Sequence, residues 1–366
     1  FFFGALMTYP AAKRDEAVVE ELHGHSIADP YRWLEDPESE DTKAFVAAQN
    51  ETYATATQSL EQLRGQIRGR LTELFDFPKF TCFSRKGGRL FYEYNTGLQQ
   101  QAVLFTQAEL DAEPEALLDP NTLSDDGTVA FRGRAFSRDG SVLSYGLSSA
   151  GSDWTTIKFV RIAGKERLPD TLEKVKFSCQ SWWRDEGLFY NRYLPDESSQ
   201  DGTETQANKH QKLFYHRLGT PQSDDVLVWE CPEEPEWMAG AEVTDDDRYL
   251  VLFVRKGCDP ENLVWVVDLE TVPLPEIKSS WRKVVNRWDA AYDYVANDGP
   301  DFVFTTTLAA PKKRVVRIKA FPDTLPADPS AWVDLIAERA EPLEHAAAAA
   351  RDFLVVEWMK DVKSVL

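Results

Sequence analysis

The sequence predicts a mainly β chain, a β-propeller preceded by a helical arm. Three observations carry that reading. Between Asp41 and Phe75 there is no Pro, and Leu60, Leu63, Ile67, Leu71 and Leu74 recur at steps of 3, 4, 4 and 3. Beyond Pro78, short β-branched and aromatic runs alternate with Asp- and Gly-centred turns. Those turns recur at Gly88, Gly140, Gly187, Asp247, Gly299 and Asp352, at intervals of 52, 47, 60, 52 and 53 residues.

From the N-terminus, Phe1 to Leu6 is an apolar stretch with no basic residue before it, too short for a signal-peptide core. Residues 1–6 are expected to be upstream translation or disordered, with Met7 as the natural start; a real first strand is the alternative. The arm is placed at residues 7–76. Asp29-Pro30 and Asp36-Pro37 mark turns there, and the long amphipathic helix is expected to break near Gly65.

Residues 77–366 are read as the propeller. Strands are expected at Arg89–Tyr94, Ala102–Thr106, Val142–Leu147, Thr155–Ile162, Leu188–Arg192 and Lys212–Arg217. Further strands fall at Tyr249–Val254, Leu263–Leu269, Asp301–Thr306, Arg314–Ile318 and Asp352–Trp358. An insertion from Asp196 to Thr205 accounts for the longest interval and is expected to form a mobile loop. About five and a half units fit the period. The chain stops at Leu366 with no closing strand in the pattern, so it is read as truncated in the sixth blade.

Charge and side-chain inventory exclude several function classes. With 41 Lys and Arg against 61 Asp and Glu, the net charge is −20, which repels phosphate backbones and excludes nucleic acid as a partner. No apolar run is long enough to span a membrane, so the expected location is the cytoplasm. Cys82, Cys179, Cys231 and Cys258 are scattered without a C-x-x-C pair and read as reduced, buried thiols, although spacing leaves disulfides open. No metal site and no cofactor are expected. No G-x-S-x-G elbow occurs, and the nearest sequence, Gly24-His25-Ser26-Ile27-Ala28, reads as an arm loop, so no catalytic residue is expected. Ser137-Arg138-Asp139-Gly140-Ser141 reads as a hairpin turn. His216 falls in a strand and is expected to be packed, whereas His345 is expected to face solvent.

A set of ordered motifs resembles one family. His23-Gly24-His25 and Asp29 to Asp36 (DPYRWLED) look like the N-terminal signature of the prolyl oligopeptidases. Asn95-Thr96-Gly97-Leu98-Gln99, Leu123 to Thr128, Ser149 to Trp154, Val175 to Cys179, Ser199 to Thr205, His210 to Leu213 and Gly257 to Pro260 follow in that family's order. The resemblance runs from about Tyr9 to Leu366.

What the resemblance implies is specific. The fold would be an incomplete seven-bladed β-propeller, its arm packing on an α/β-hydrolase domain absent from this chain. The parent would be a cytosolic serine endopeptidase, a monomer when complete, cutting short peptides on the carboxyl side of proline. The catalytic triad would lie in the hydrolase part. Arg255 would reach the substrate carbonyl next to proline, where a guanidinium offers several fixed donors. Phe177, Met238 and Cys258 would wall the apolar pocket for the next residue. Without the resemblance, Arg255 reads as a surface ion pair, Phe177 and Met238 as core, and Cys258 as a buried thiol. A catalytically inactive propeller binding module and a propeller glycosidase are the competing readings.

Overall fold

The computed structural model describes residues 9–194, 207–321, 327–350 and 353–366. Expectations on residues 1–7, on the Asp196–Thr205 insertion and on the turn at Asp352 lie outside the described residues. The chain divides into two compact units: residues up to Thr81 with 93–102 form the first, and most of the remainder forms the second.

The first unit holds a hairpin of β1 (Val19–Leu22) and β2 (His25–Ala28), then helices α1 (Glu40–Thr57) and α2 (Glu61–Phe75), then β3 (Lys79–Phe80). Ser39 caps α1, its side chain accepting from the Thr42 N–H, and Glu40 and Asp41 sit in the first turn where the helix dipole favours acids. The helical break is not at Gly65, which lies inside α2, but at a 3₁₀ turn over Gln58–Leu60. The cause is the Thr-rich end of α1. Thr52 and Thr57 hydroxyls donate to the carbonyls of Ala48 and Tyr53, four residues back, a pattern that bends helices. Leu63, Ile67, Leu71 and Leu74 share one face of α2, continued by Leu60 at its N-cap; each is about half exposed, as are Leu22 and Ile27 of the hairpin. Among the described residues, no helix is long and apolar enough to cross a membrane.

The second unit is a run of six antiparallel sheets. The chain enters it with β4 (Ser84–Lys86), and β5 (Arg89–Asn95), β6 (Val103–Gln107) and β7 (Glu115–Leu118) complete the first sheet. The second sheet holds β8 (Ala130–Phe136), β9 (Val142–Ser148), β10 (Thr155–Arg161) and β11 (Glu166–Val175). The third holds β12 (Gln180–Trp183), β13 (Gly187–Arg192), β14 (Lys212–Arg217) and β15 (Val226–Trp229). The fourth holds β16 (Trp237–Val243), β17 (Tyr249–Lys256), β18 (Asn262–Asp268) and β19 (Arg282–Val285), preceded at β19 by the short helix α3 (Ile277–Ser280). The fifth holds β20 (Tyr292–Asp298), β21 (Asp301–Thr306), β22 (Arg314–Lys319) and β23 (Val333–Ile336). The sixth holds β24 (Leu343–Ala350), β25 (Phe353–Lys360) and β26 (Lys363–Val365). The fold is thus mainly β, a six-sheet β-propeller with a helical N-terminal arm.

The core lies between sheets. Along β17, Leu250, Leu252 and Val254 pack with residues of the third sheet such as Phe189 and Tyr215, whereas Tyr249 and Val251 pack with Tyr292, Phe302 and Phe304 of the fifth. Alternate side chains of a strand point to opposite faces, so both faces of the sheet are buried. The same division joins the second sheet to the first through Leu143 and Tyr145, and to the third through Val142 and Phe159. The Asp139-Gly140 hairpin connects β8 to β9. Gly140 has φ +72°, and a Cβ there would come within 2.5 Å of the Gly87 backbone nitrogen.

The expected burial of all four cysteines is corrected. All are free thiols, but Cys82 and Cys258 are exposed. Both lie in connections outside the packed sheets, where no neighbouring sheet covers them. His345 is exposed, and His216 is fully buried.

His216 carries a buried charge cluster that the second and third sheets share. Its Nδ1 lies 2.7 Å from Asp225 Oδ1 and its Nε2 3.2 Å from Asp170 Oδ1, while Tyr190 donates to Asp225 Oδ2 at 2.6 Å. Burial pushes the imidazole toward neutrality, but the two carboxylates outweigh it and hold its pKa above the ordinary value. The stabilisation is therefore full below about pH 6.5 and is lost as pH rises through the higher folded-state value. His216→Gln is expected to cost about 3–5 kcal/mol near neutral pH, because two buried carboxylates lose their cation. Urea unfolding of both proteins across pH checks this; equal midpoints below about pH 6.5 would contradict it.

Candidate functional site

The four residues singled out in the sequence come from three places in the second unit. Met238 and Arg255 are direct cross-strand partners on β16 and β17. Cys258 follows three residues later in a tight turn, with Gly257 at φ +48° and the Asp259 N–H donating to the Lys256 carbonyl. Phe177 sits between β11 and β12 at φ +51°, an uncommon conformation for an aromatic residue.

Exposure separates these residues from a core. Phe177 is 49% exposed and Cys258 is also exposed. The Arg255 guanidinium is nearly half open, with Nη2 3.8 Å from Asp293 Oδ1. That spacing is an ion pair but too long for a hydrogen bond. Asp293 is shared, since its Oδ2 also takes Lys313 Nζ at 3.2 Å and Thr305 Oγ1 at 3.3 Å. Arg255 therefore presents a fork of donors that a carbonyl oxygen could take up. The Phe177 ring has the Lys176 ammonium 5.5 Å from its centre, and that ammonium also lies 5.1 Å from the Trp154 ring.

Two buried amides that the sequence reading did not assign to the site tie it together. Gln211 donates from Nε2 to the Phe177 carbonyl at 3.2 Å and accepts the Ala239 N–H at Oε1, 2.8 Å away. Asn191 accepts the Cys179 N–H at 3.0 Å and donates to the Ala239 carbonyl at 2.8 Å. Both polar groups of Ala239, the neighbour of Met238, are thus held by side chains, Asn191 of β13 and Gln211 just before β14. The Phe177 turn is fastened to the strand that carries Met238. The signal in the sequence was an amide at each end of an apolar run: Asn191 after Leu188-Phe189-Tyr190, and Gln211 before Leu213-Phe214-Tyr215. Beside them, burial pushes the Cys179 thiol up to about 12, so it stays protonated and unreactive.

Both ring nitrogens of His216 are taken by carboxylates. His25 and Ser26 lie on the exposed strand β2 of the hairpin.

The chain as a whole is similar to known proteins. Residues 10–366 match the family profile described as "Prolyl oligopeptidase, N-terminal beta-propeller domain". Prolyl oligopeptidase A of Amanita bisporigera is 35% identical, over 90% of this chain and 47% of its own length. The prolyl endopeptidase of Elizabethkingia meningoseptica is 34% identical, over 97% of this chain and 48% of its own length. Among solved structures, a variant of prolyl oligopeptidase B from Galerina marginata, bound to a 35mer hydrolysis and macrocyclization substrate, superposes with a TM-score of 0.82 at 28% identity. That match covers 99% of this chain and 52% of the other. The chain spans about half the length of the relatives it matches.

Asn191→Ala removes the partners of two backbone groups at the junction of the third and fourth sheets. It is expected to destabilise the protein by about 2–4 kcal/mol, read from the urea midpoint of tryptophan fluorescence. An unchanged midpoint would show that the amide is dispensable.

Proposed function

The chain belongs to the prolyl oligopeptidase family, and on that premise we propose that it is the N-terminal portion of a serine-type endopeptidase cleaving short peptides on the carboxyl side of proline. Residues 7–76 form the arm, and residues 77–366 form part of a seven-bladed propeller. An α/β-hydrolase domain in the same polypeptide carries the catalytic triad. The complete enzyme works as a monomer in the cytoplasm. The propeller gates access to the triad and supplies one wall of the substrate pocket.

The observation that carries this reading is the pairing of Met238 with Arg255 beside a tethered, half-exposed Phe177. In that wall the Arg255 fork donates to the peptide carbonyl next to proline. Phe177, Met238 and Cys258 receive the following side chain, an aromatic face, a flexible thioether and a small thiol suiting varied apolar groups. The exposed apolar stripe of α2 is the face on which the hydrolase domain packs. An inactive binding module would share the wall but need no triad, and activity separates the two readings.

The 366-residue chain alone is expected to turn over no proline-containing fluorogenic peptide; turnover blocked by a serine-directed inhibitor would overturn the assignment. In the complete enzyme, Arg255→Ala is expected to lower kcat/KM about 10- to 100-fold, the loss of one charge-assisted hydrogen bond in the transition state. Unchanged kinetics would return Arg255 to its ion pair with Asp293.

A further inference from the structure

Lys176 immediately precedes Phe177 and is 8% exposed. A lysine is seldom buried without a carboxylate beside it, because its charge loses hydration. In a chain with 61 acidic residues, the Lys176 ammonium nevertheless forms no ion pair or hydrogen bond among the described residues. Two aromatic rings stand in for the carboxylate. The ring centres of Trp154 and Phe177 lie 5.1 Å and 5.5 Å from Nζ. The nitrogen itself is not enclosed, so the stem is buried while the tip meets the surface. Asp153, next to Trp154 in the chain, is exposed and does not pair with it.

Both rings of this clamp are held in place. Trp154 packs edge-on against Tyr193, their centres 6.3 Å apart, and its backbone N–H donates to Ser152 Oγ at 3.1 Å. Tyr193 is buried, and its own N–H donates to the Lys174 carbonyl at 3.0 Å. On the other side, the Gln211 amide holds the Phe177 carbonyl. An ammonium carries three N–H donors. The rings attract its charge, but among the described residues no oxygen accepts from it. The exposed tip is therefore the side from which an acceptor can approach.

We propose that Lys176 is a specificity-determining residue that binds an acidic side chain of the peptide, one residue further from proline than the side chain seated on Phe177. The proposal deepens the reading above and rests on it for the path of the peptide. Neighbouring residues of an extended peptide are about 3.3 Å apart along the strand. A glutamate beyond the group on Phe177 therefore spans the 5.5 Å from ring centre to ammonium. Its carboxylate supplies the counter-charge that the surrounding residues omit, in a charge-assisted hydrogen bond. Because the rings already restrict the ammonium, binding orders less side-chain freedom than it would for an unrestrained surface lysine. The net charge of −20 opposes any anion, so the preference arises from this local contact and not from long-range attraction.

Calorimetric titration of the full chain near neutral pH tests this with two peptides, acetyl-Glu-Phe-Gly-Pro-amide and acetyl-Gln-Phe-Gly-Pro-amide. The acidic peptide is expected to bind about fivefold or more tighter than the neutral one. Lys176→Met, which keeps an apolar stem between the rings, should erase that ratio, and Lys176→Arg should retain it. A lysine that only braces Phe177 would shift both peptides alike and leave the ratio unchanged. In the unaltered protein, the acidic peptide should also slow acetylation of Lys176, read by mass spectrometry, more than the neutral one does, so the test survives if a variant misfolds. Equal binding of the two peptides, or a preference that survives Lys176→Met, overturns the proposal. Arg255→Ala separates it from the reading on which it rests. Weaker binding of both peptides with the ratio kept supports both. Unchanged binding of the neutral peptide removes Arg255 from the wall and leaves the Lys176 contact standing. Loss of the ratio places the carboxylate on Arg255 and overturns the proposal. If neither peptide binds the unaltered chain, both fall.

Discussion

Burial of both faces of every sheet that lies between two others is the constraint on which the rest of the second unit depends. A sheet that packs on one side only can alternate apolar and polar residues, but a sheet between two others cannot. In β17 the run Tyr249-Leu250-Val251-Leu252 is apolar throughout because odd and even positions enter different cores. Removing a large side chain from such a strand opens one core and leaves the other intact. The cores are therefore a chain of two-sheet sandwiches, each depending on its neighbours, as in repeat proteins.

The same constraint explains what was legible in the sequence. The eleven strands expected from β-branched and aromatic runs correspond to β5, β6, β9, β10, β13, β14, β17, β18, β21, β22 and β25, the second or third strand of a sheet in every case. The first and last strands of the sheets escaped detection. First strands border open space and carry Arg132 and Arg134 in β8, Glu242 in β16, and an alanine run in β24. Last strands such as β15 and β19 have only four residues, too few for a periodic signal. In the arm, apolar periodicity located the helices, but the break followed the threonines of α1 and not Gly65.

The candidate site was legible only through resemblance. Composition and spacing made Phe177 and Met238 core and Arg255 a surface ion pair. The structure leaves Phe177 half exposed and shows Arg255 near Asp293 without a hydrogen bond. The tethering amides could not have been found from spacing, because Asn191 and Gln211 act on Ala239 across 48 and 28 residues. They matter because a turn carrying an exposed aromatic at positive φ needs external support to hold one conformation. The strand ends thus offer polar and apolar groups at the rim of a rigid scaffold, where loops and side chains can act while the cores stay closed.

The central claim is that this wall recognises a proline peptide through Arg255. A structure of the complete enzyme with a proline peptide analogue bound tests it most directly. The account predicts the Arg255 guanidinium about 2.7–3.2 Å from the carbonyl oxygen next to proline, drawn away from Asp293, with the following side chain against Phe177, Met238 and Cys258. A bound peptide that leaves Arg255 on Asp293 and touches none of those three would contradict it.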